Sequence, residues 1–131
     1  MANHERPLSP HLQVYKWQVQ MVTSILNRIT GIILTLGSLL IVWALVALAA
    51  GPQAWADFTG YARSGLGFVI LFGWTWALAF HLLAGTRHMV QDLGMGYRVR
   101  TFVMTSWLSV IGSLVLTALV WIAAMMLRGD A

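Results

Sequence analysis

The chain has 131 residues, of which 59% are apolar and 9% are charged. A soluble domain carries about 25% charged residues, so this composition excludes an ordinary soluble enzyme domain. The sequence contains no cysteine, which also excludes disulfides, thiol nucleophiles and Cys-ligated metal centres. The net charge of +4 comes from scattered residues without a basic run, so it indicates membrane topology rather than binding to nucleic acid.

Three long stretches of the chain, residues 29–56, 64–86 and 101–127, contain no charged residue. Each is longer than the roughly 20 apolar residues that a membrane-spanning helix needs. Helices are expected here because they satisfy every backbone N–H and C=O group within lipid. We therefore predict an all-α membrane protein in which residues 1–131 form one membrane-anchor domain, with spans at about 25–50, 64–86 and 101–127.

The charges outside these spans predict the orientation. The first span is expected to end at Gly51-Pro52, because proline cannot continue a helix, and a short loop follows it. A second loop is predicted at about residues 87–100. Six of the eight Lys and Arg residues lie in the N-terminal part or in this second loop: Arg6, Lys16, Arg28, Arg87, Arg98 and Arg100. The positive-inside rule therefore places the N-terminal segment 1–22 and the second loop in the cytoplasm.

The first 20 residues have neither the apolar stretch of a signal peptide nor the pattern of a transit peptide. This favours a multi-pass protein of a bacterial inner membrane over an imported organellar protein.

His81 is the ionisable residue that lies clearly inside a predicted span, which makes it a functional candidate. Stepping by four along its helix gives a row of mostly small residues: Gly65, Val69, Gly73, Ala77, His81 and Gly85. This row is typical of a helix-packing stripe with a hydrogen-bonded imidazole. It is equally compatible with a haem that takes His81 as an axial ligand. His88 is seven residues away on the same helix, so a bis-His haem site would need its second ligand from another subunit.

Ser24 and Arg28 share one helix face at the entry to the first span, on the same side of the membrane as Arg87 and His88. One interpretation is a capping serine beside an arginine that snorkels to the interface. The other is a hydroxyl and a cation that bind a quinone carbonyl or a haem propionate. The spans contain no Asp or Glu, which disfavours a proton-coupled transporter.

Three sequence motifs occur in order along the chain: Arg6-Pro7-Leu8-Ser9-Pro10-His11-Leu12, Ser24-Ile25-Leu26-Asn27-Arg28-Ile29-Thr30-Gly31, and the stretch from His81 through Gly85, Arg87, His88 and Asp92 to Gly94. Together with three spans and this length, they make the chain resemble the cytochrome b subunits of succinate dehydrogenase, one of the two membrane anchors of that complex. Asn27 is a departure, because the family usually has histidine at this position.

The resemblance implies roles for the matching residues. His81 corresponds to the axial ligand and metal-binding residue of a haem b that is shared with the partner anchor. Ser24 and Arg28 correspond to ubiquinone-binding residues. Arg28, Arg87 and His88 correspond to residues near the haem propionates.

The resemblance also implies an architecture and partners. The three spans would form half of a haem-binding helical bundle in the membrane lipid, completed by a second anchor subunit. A flavoprotein subunit and an iron–sulfur subunit would deliver electrons from succinate to ubiquinone, so the chain alone is expected to have no activity. This would place the protein in both the tricarboxylic acid cycle and the respiratory chain. The alternatives are a small transporter or structural subunit, and, within the family, a fumarate reductase anchor.

Overall fold

The computed structural model describes residues 16–129, and within this range the chain forms four helices and no strand. They are α1 (Val19–Ala50), α2 (Pro52–Ala62), α3 (Gly65–Asp92) and α4 (Val99–Gly129). Helices α1, α3 and α4 are each long and apolar enough to span a bilayer. The predicted all-α architecture with three spanning helices is confirmed. The motif at residues 6–12 lies outside the described residues.

Helix α1 ends at the predicted position. Gly51 adopts a φ of 115°, a conformation that side chains disfavour, and Pro52 begins the next helix. The predicted short loop is wrong at this point, because 11 residues after Gly51 form α2. Proline at a first helical position favours a helix start, and the Phe58 ring packs perpendicular to that of Trp43 in α1, at 5.0 Å between centroids.

Helix α3 runs further than predicted, through Asp92. The second loop therefore shortens to residues 93–98, and Arg87 and His88 are helical. Charged side chains do not interrupt a helix that passes beyond the apolar layer. The chain turns only where Gly94 and Gly96 adopt φ values of 80° and 82°.

The buried side chains that α1 and α4 contribute to the helix contacts are all small. The buried residues of α1 and α4 are Thr23, Thr30, Gly37, Ala47, Ser106, Ser109, Ser113 and Thr117. Their hydroxyl groups donate to carbonyls of their own helices, as Thr117 does to Ser113 at 2.7 Å. Small side chains allow the helix backbones to approach closely, while most of the large apolar side chains face outward where lipid would lie. Phe80 of α3 is the large side chain that is fully buried.

Candidate functional site

His81 lies half-buried on α3, where this helix meets α1. Its ring faces Gly31 so closely that a Cβ atom on Gly31 would stand 3.3 Å from the imidazole Cε1. A larger residue on α1 would therefore press on the ring. The glycine at this position of the sequence motif provides the space that the imidazole occupies.

The Nδ1 atom of His81 has two partners on α1. It lies 3.1 Å from the backbone carbonyl oxygen of Asn27 and 3.3 Å from the hydroxyl oxygen of Thr30. A carbonyl oxygen can only accept a hydrogen bond, so Nδ1 carries the proton and donates it. In the neutral ring Nε2 then holds a lone pair, and Nε2 forms no hydrogen bond with residues 16–129. This is the tautomer that a metal-ligating histidine adopts when its other ring nitrogen is held by a carbonyl.

The row of small residues on α3 is only partly covered by the chain itself. Ala77, one turn before His81, is fully buried. A Cβ atom on Gly73 or Gly85 would meet no other atom within 4 Å in the described part of the chain. This face of α3 is therefore covered at Ala77 and open at Gly73 and Gly85, where there is space for a second helix or for a flat ligand.

An apolar groove continues this open face away from His81. It has a volume of about 470 Å³ and lies between α1 and α3, with Leu36, Gly73 and Trp76 among its lining residues. Among residues 16–129 no three His, Asp or Glu side chains come together as a metal cluster. The arrangement therefore offers one imidazole nitrogen beside an apolar surface, rather than a multi-carboxylate metal site.

Arg87 lies on a different side of α3 from His81. Six residues separate the two, which corresponds to about 240° around a helix. Arg87 is 9% exposed and contacts α4, where its Nε donates to the Thr105 hydroxyl at 3.2 Å. Its guanidinium carbon lies 4.3 Å from the centre of the Phe102 ring. The structure thus brings Arg87 to the α3–α4 contact, and not to the imidazole of His81.

The other predicted site residues lie around the His81 contact. His88 is half-buried, seven residues after His81 and so on nearly the same side of α3. Arg28 is exposed on α1, directly after Asn27, and Ser24 is half-buried one turn earlier. Ser24 and Arg28 form no hydrogen bond with each other in the described residues.

Sequence reasoning missed the two groups that hold the imidazole. Thr30 belongs to the second motif, but its hydroxyl gave no reason to pair it with His81 rather than with its own helix. Asn27 departs from the family pattern in its side chain, but it is its backbone carbonyl that accepts the hydrogen bond. The side-chain Oδ1 of Asn27 is buried and has no partner among residues 16–129.

Comparisons with known proteins give a consistent result. The profile of a family described as "Succinate dehydrogenase/Fumarate reductase transmembrane subunit" matches residues 2–120. The chain is 48% identical over 114 residues to the succinate dehydrogenase cytochrome b556 subunit of Paracoccus denitrificans, covering 87% of this chain and 88% of that protein. It is 34% identical over 119 residues to the subunit of the same name in Rickettsia typhi, covering 91% of this chain and 93% of that protein.

Proposed function

The chain belongs to the succinate dehydrogenase/fumarate reductase transmembrane subunit family, and we propose that it serves as the cytochrome b anchor of a succinate dehydrogenase, with His81 as one axial ligand of a haem b. Family membership and three apolar helices make it a multi-pass membrane subunit. The finer assignments below extend this to a haem, a quinone and a set of partner subunits.

The contact between Nδ1 of His81 and the Asn27 carbonyl oxygen, at 3.1 Å, is the observation that carries the haem proposal. A haem iron needs an unprotonated imidazole nitrogen beside an apolar surface. The hydrogen bond from Nδ1 to Asn27 leaves that lone pair on Nε2. The open α3 face at Gly85, one turn after His81, supplies space next to it. The residues present therefore fit a haem, which when bound would accept and return single electrons.

The second axial ligand would come from a partner anchor subunit. His88 is the other histidine within residues 16–129, and it lies about 10 Å from His81 along one side of the same helix. Two ligands on opposite faces of one iron cannot come from these positions. In the proposal His88 contacts a haem propionate instead. Arg87 stays a predicted propionate contact, although its guanidinium is engaged with α4.

Ser24 and Arg28 are proposed to bind ubiquinone. The Arg28 cation is exposed on the helix face that also carries the Ser24 hydroxyl. A cation near a quinone oxygen stabilises the negative charge that develops there on reduction, and a hydroxyl can donate a hydrogen bond to the same carbonyl. Arg28 is adjacent in sequence to the contact between Asn27 and His81, which supports a quinone site close to the haem.

We propose further that a flavoprotein and an iron–sulfur subunit dock on the cytoplasmic side of a bacterial inner membrane. The excess of Lys and Arg in the N-terminal part and around the turn between α3 and α4 supports this orientation. The names of both reported relatives support succinate oxidation, rather than fumarate reduction, as the direction of the reaction.

Reduced-minus-oxidised spectra test the haem assignment in membranes that contain the co-expressed partner anchor. The wild-type complex is expected to show a b-type haem band, and His81→Ala is expected to lose it because one axial ligand is gone. Thr86→Ala is the matched control, since it truncates an exposed side chain of α3 close to His81 in sequence and is expected to keep the band. An unchanged spectrum in His81→Ala would show that His81 is not a ligand. A wild-type complex without the band would favour a purely structural subunit.

A further inference from the structure

Helix α1 holds the His81 ring through two acceptors of different kinds. One is the backbone carbonyl of Asn27, which no side-chain substitution removes. The other is the hydroxyl of Thr30, at 3.3 Å from Nδ1. We propose that Thr30 is a positioning residue that sets the ring orientation and the donor strength of His81. This proposal rests on the proposed role of His81 as a haem ligand.

The Thr30 hydroxyl is fixed in the orientation of an acceptor. Thr30 is fully buried, and its Oγ1 lies 2.8 Å from the carbonyl oxygen of Leu26. Its single proton is engaged by that carbonyl, or by the Asn27 carbonyl at 3.1 Å. A lone pair of Oγ1 therefore faces Nδ1. If Nδ1 instead carried a lone pair, it would stand 3.1 Å from the Asn27 carbonyl oxygen, and two acceptors would repel each other.

Two acceptors on one N–H group increase the electron density of the whole imidazole ring. The Nε2 atom then becomes a stronger donor, which favours the oxidised form of a metal that it binds over the reduced form. Removal of the Thr30 hydroxyl would weaken this effect while the Asn27 carbonyl still holds the tautomer. The midpoint potential of the haem is therefore expected to rise, without loss of the ligand.

The test compares Thr30→Val and Thr30→Ser in the assembled, haem-loaded complex. Valine has nearly the volume of threonine but no acceptor, and serine keeps the hydroxyl. In Thr30→Val we expect wild-type haem content, a higher midpoint potential in a redox titration, and shifted g values in the electron paramagnetic resonance spectrum of the oxidised haem. In Thr30→Ser we expect wild-type values for all three.

Thr35→Val is the matched control. The hydroxyl of Thr35 also donates to its own helix, to the Gly31 carbonyl at 2.9 Å, but Thr35 is exposed and has no contact with His81. Its loss is expected to leave the potential and the g values unchanged. An equal shift in Thr35→Val and Thr30→Val would show that the effect comes from the α1 backbone and would overturn the proposal.

Wild-type potential and g values in Thr30→Val would also overturn it, while His81→Ala would still test the haem ligand separately. If Thr30→Val does not assemble, Thr30→Ala and Thr30→Ser provide the comparison. A raised potential in the alanine variant alone would support the proposal, and equal potentials in the two variants would refute it.

Discussion

Helix α1 crosses α3 closely at two glycines, and the two crossings have different consequences. At the Gly37 crossing the backbone of α1 lies against the ring of Trp74, and at the Gly31 crossing it lies against the ring of His81. The indole nitrogen of Trp74 is buried without a hydrogen-bond partner among residues 16–129. The imidazole nitrogen Nδ1 of His81 has both a carbonyl and a hydroxyl within reach.

The difference shows that a small residue in a membrane helix provides space for a side chain of another helix. The residues around it determine whether that side chain also finds hydrogen-bond partners. Around Gly37 the contact with Trp74 is a van der Waals contact without a hydrogen bond. Around Gly31, Asn27 and Thr30 supply polar groups that select one tautomer of the ring. The two crossings are also unequal in tightness, because a Cβ on Gly37 would overlap the Trp74 ring, whereas one on Gly31 would press on His81 only at 3.3 Å.

The largest effect is expected from Gly37→Ala, which disrupts the close contact between α1 and Trp74 of α3. The added Cβ would fall on ring atoms of Trp74, so either the half-buried indole or the backbone of α1 must shift. Such overpacking costs about 1–3 kcal/mol of the free energy of unfolding. Denaturation of the purified complex in detergent, followed by circular dichroism, measures this loss. Gly60→Ala on α2 is the control, because a Cβ there meets nothing within 4 Å. Equal stability of the two variants would contradict the close crossing.

A large effect on activity without one on stability is expected from Arg28→Leu. Arg28 is exposed beside the His81 crossing and takes part in neither glycine contact. Removal of a charge that stabilises the developing anion should lower ubiquinone reduction on the order of 10-fold or more. Haem content is expected to stay near wild type. Arg63→Leu removes an exposed cation after α2 and serves as the control for net charge. Wild-type quinone reductase activity in Arg28→Leu would remove Arg28 from the quinone site.

The smallest effect is expected from Gly31→Ala, which adds a methyl group close to His81 without overlapping its ring. At 3.3 Å from Cε1, the new methyl group would displace the imidazole by a few tenths of an ångström. The free energy of unfolding should change by less than about 1 kcal/mol, below the range for overpacking. The g values of the oxidised haem should shift, because they report the orientation of the ring. Loss of the folded complex with an unaltered haem signal in what remains would mean that the crossing at Gly31 serves packing only.

Much of the fold was predictable because membranes impose strong constraints on composition. The charge-free stretches predicted three helices, and Gly51-Pro52 predicted the end of α1. The 11-residue helix α2 was not predicted, because its stability depends partly on aromatic contacts such as that of Phe58 with Trp43, which local sequence does not reveal. The extension of α3 to Asp92 was missed because charge was used to mark the end of a span, while the helix itself continues to the glycine turn.

The candidate site was predictable in its residues more than in its contacts. His81 stood out as an ionisable group inside an apolar helix, a property of the sequence alone. Its contacts with Asn27 and Thr30 depend on how α1 and α3 are aligned with each other, which periodicity within one helix does not specify. The same limit explains Arg87, whose position next to His88 in sequence gave no indication that it turns toward Phe102 on α4.

The buried hydroxyl groups of α4 have a consequence for the order of biogenesis. Because Ser106, Ser113 and Thr117 donate to carbonyls of their own helix, α4 carries these groups into lipid already satisfied. Its insertion can therefore precede its association with the other helices. Arg87 and the Nδ1 atom of His81 differ, since their partners lie on neighbouring helices. The Nε atom of Arg87 and the Nδ1 atom of His81 gain these partners only when the inserted helices meet, which favours the assembled state over three separate helices in the bilayer.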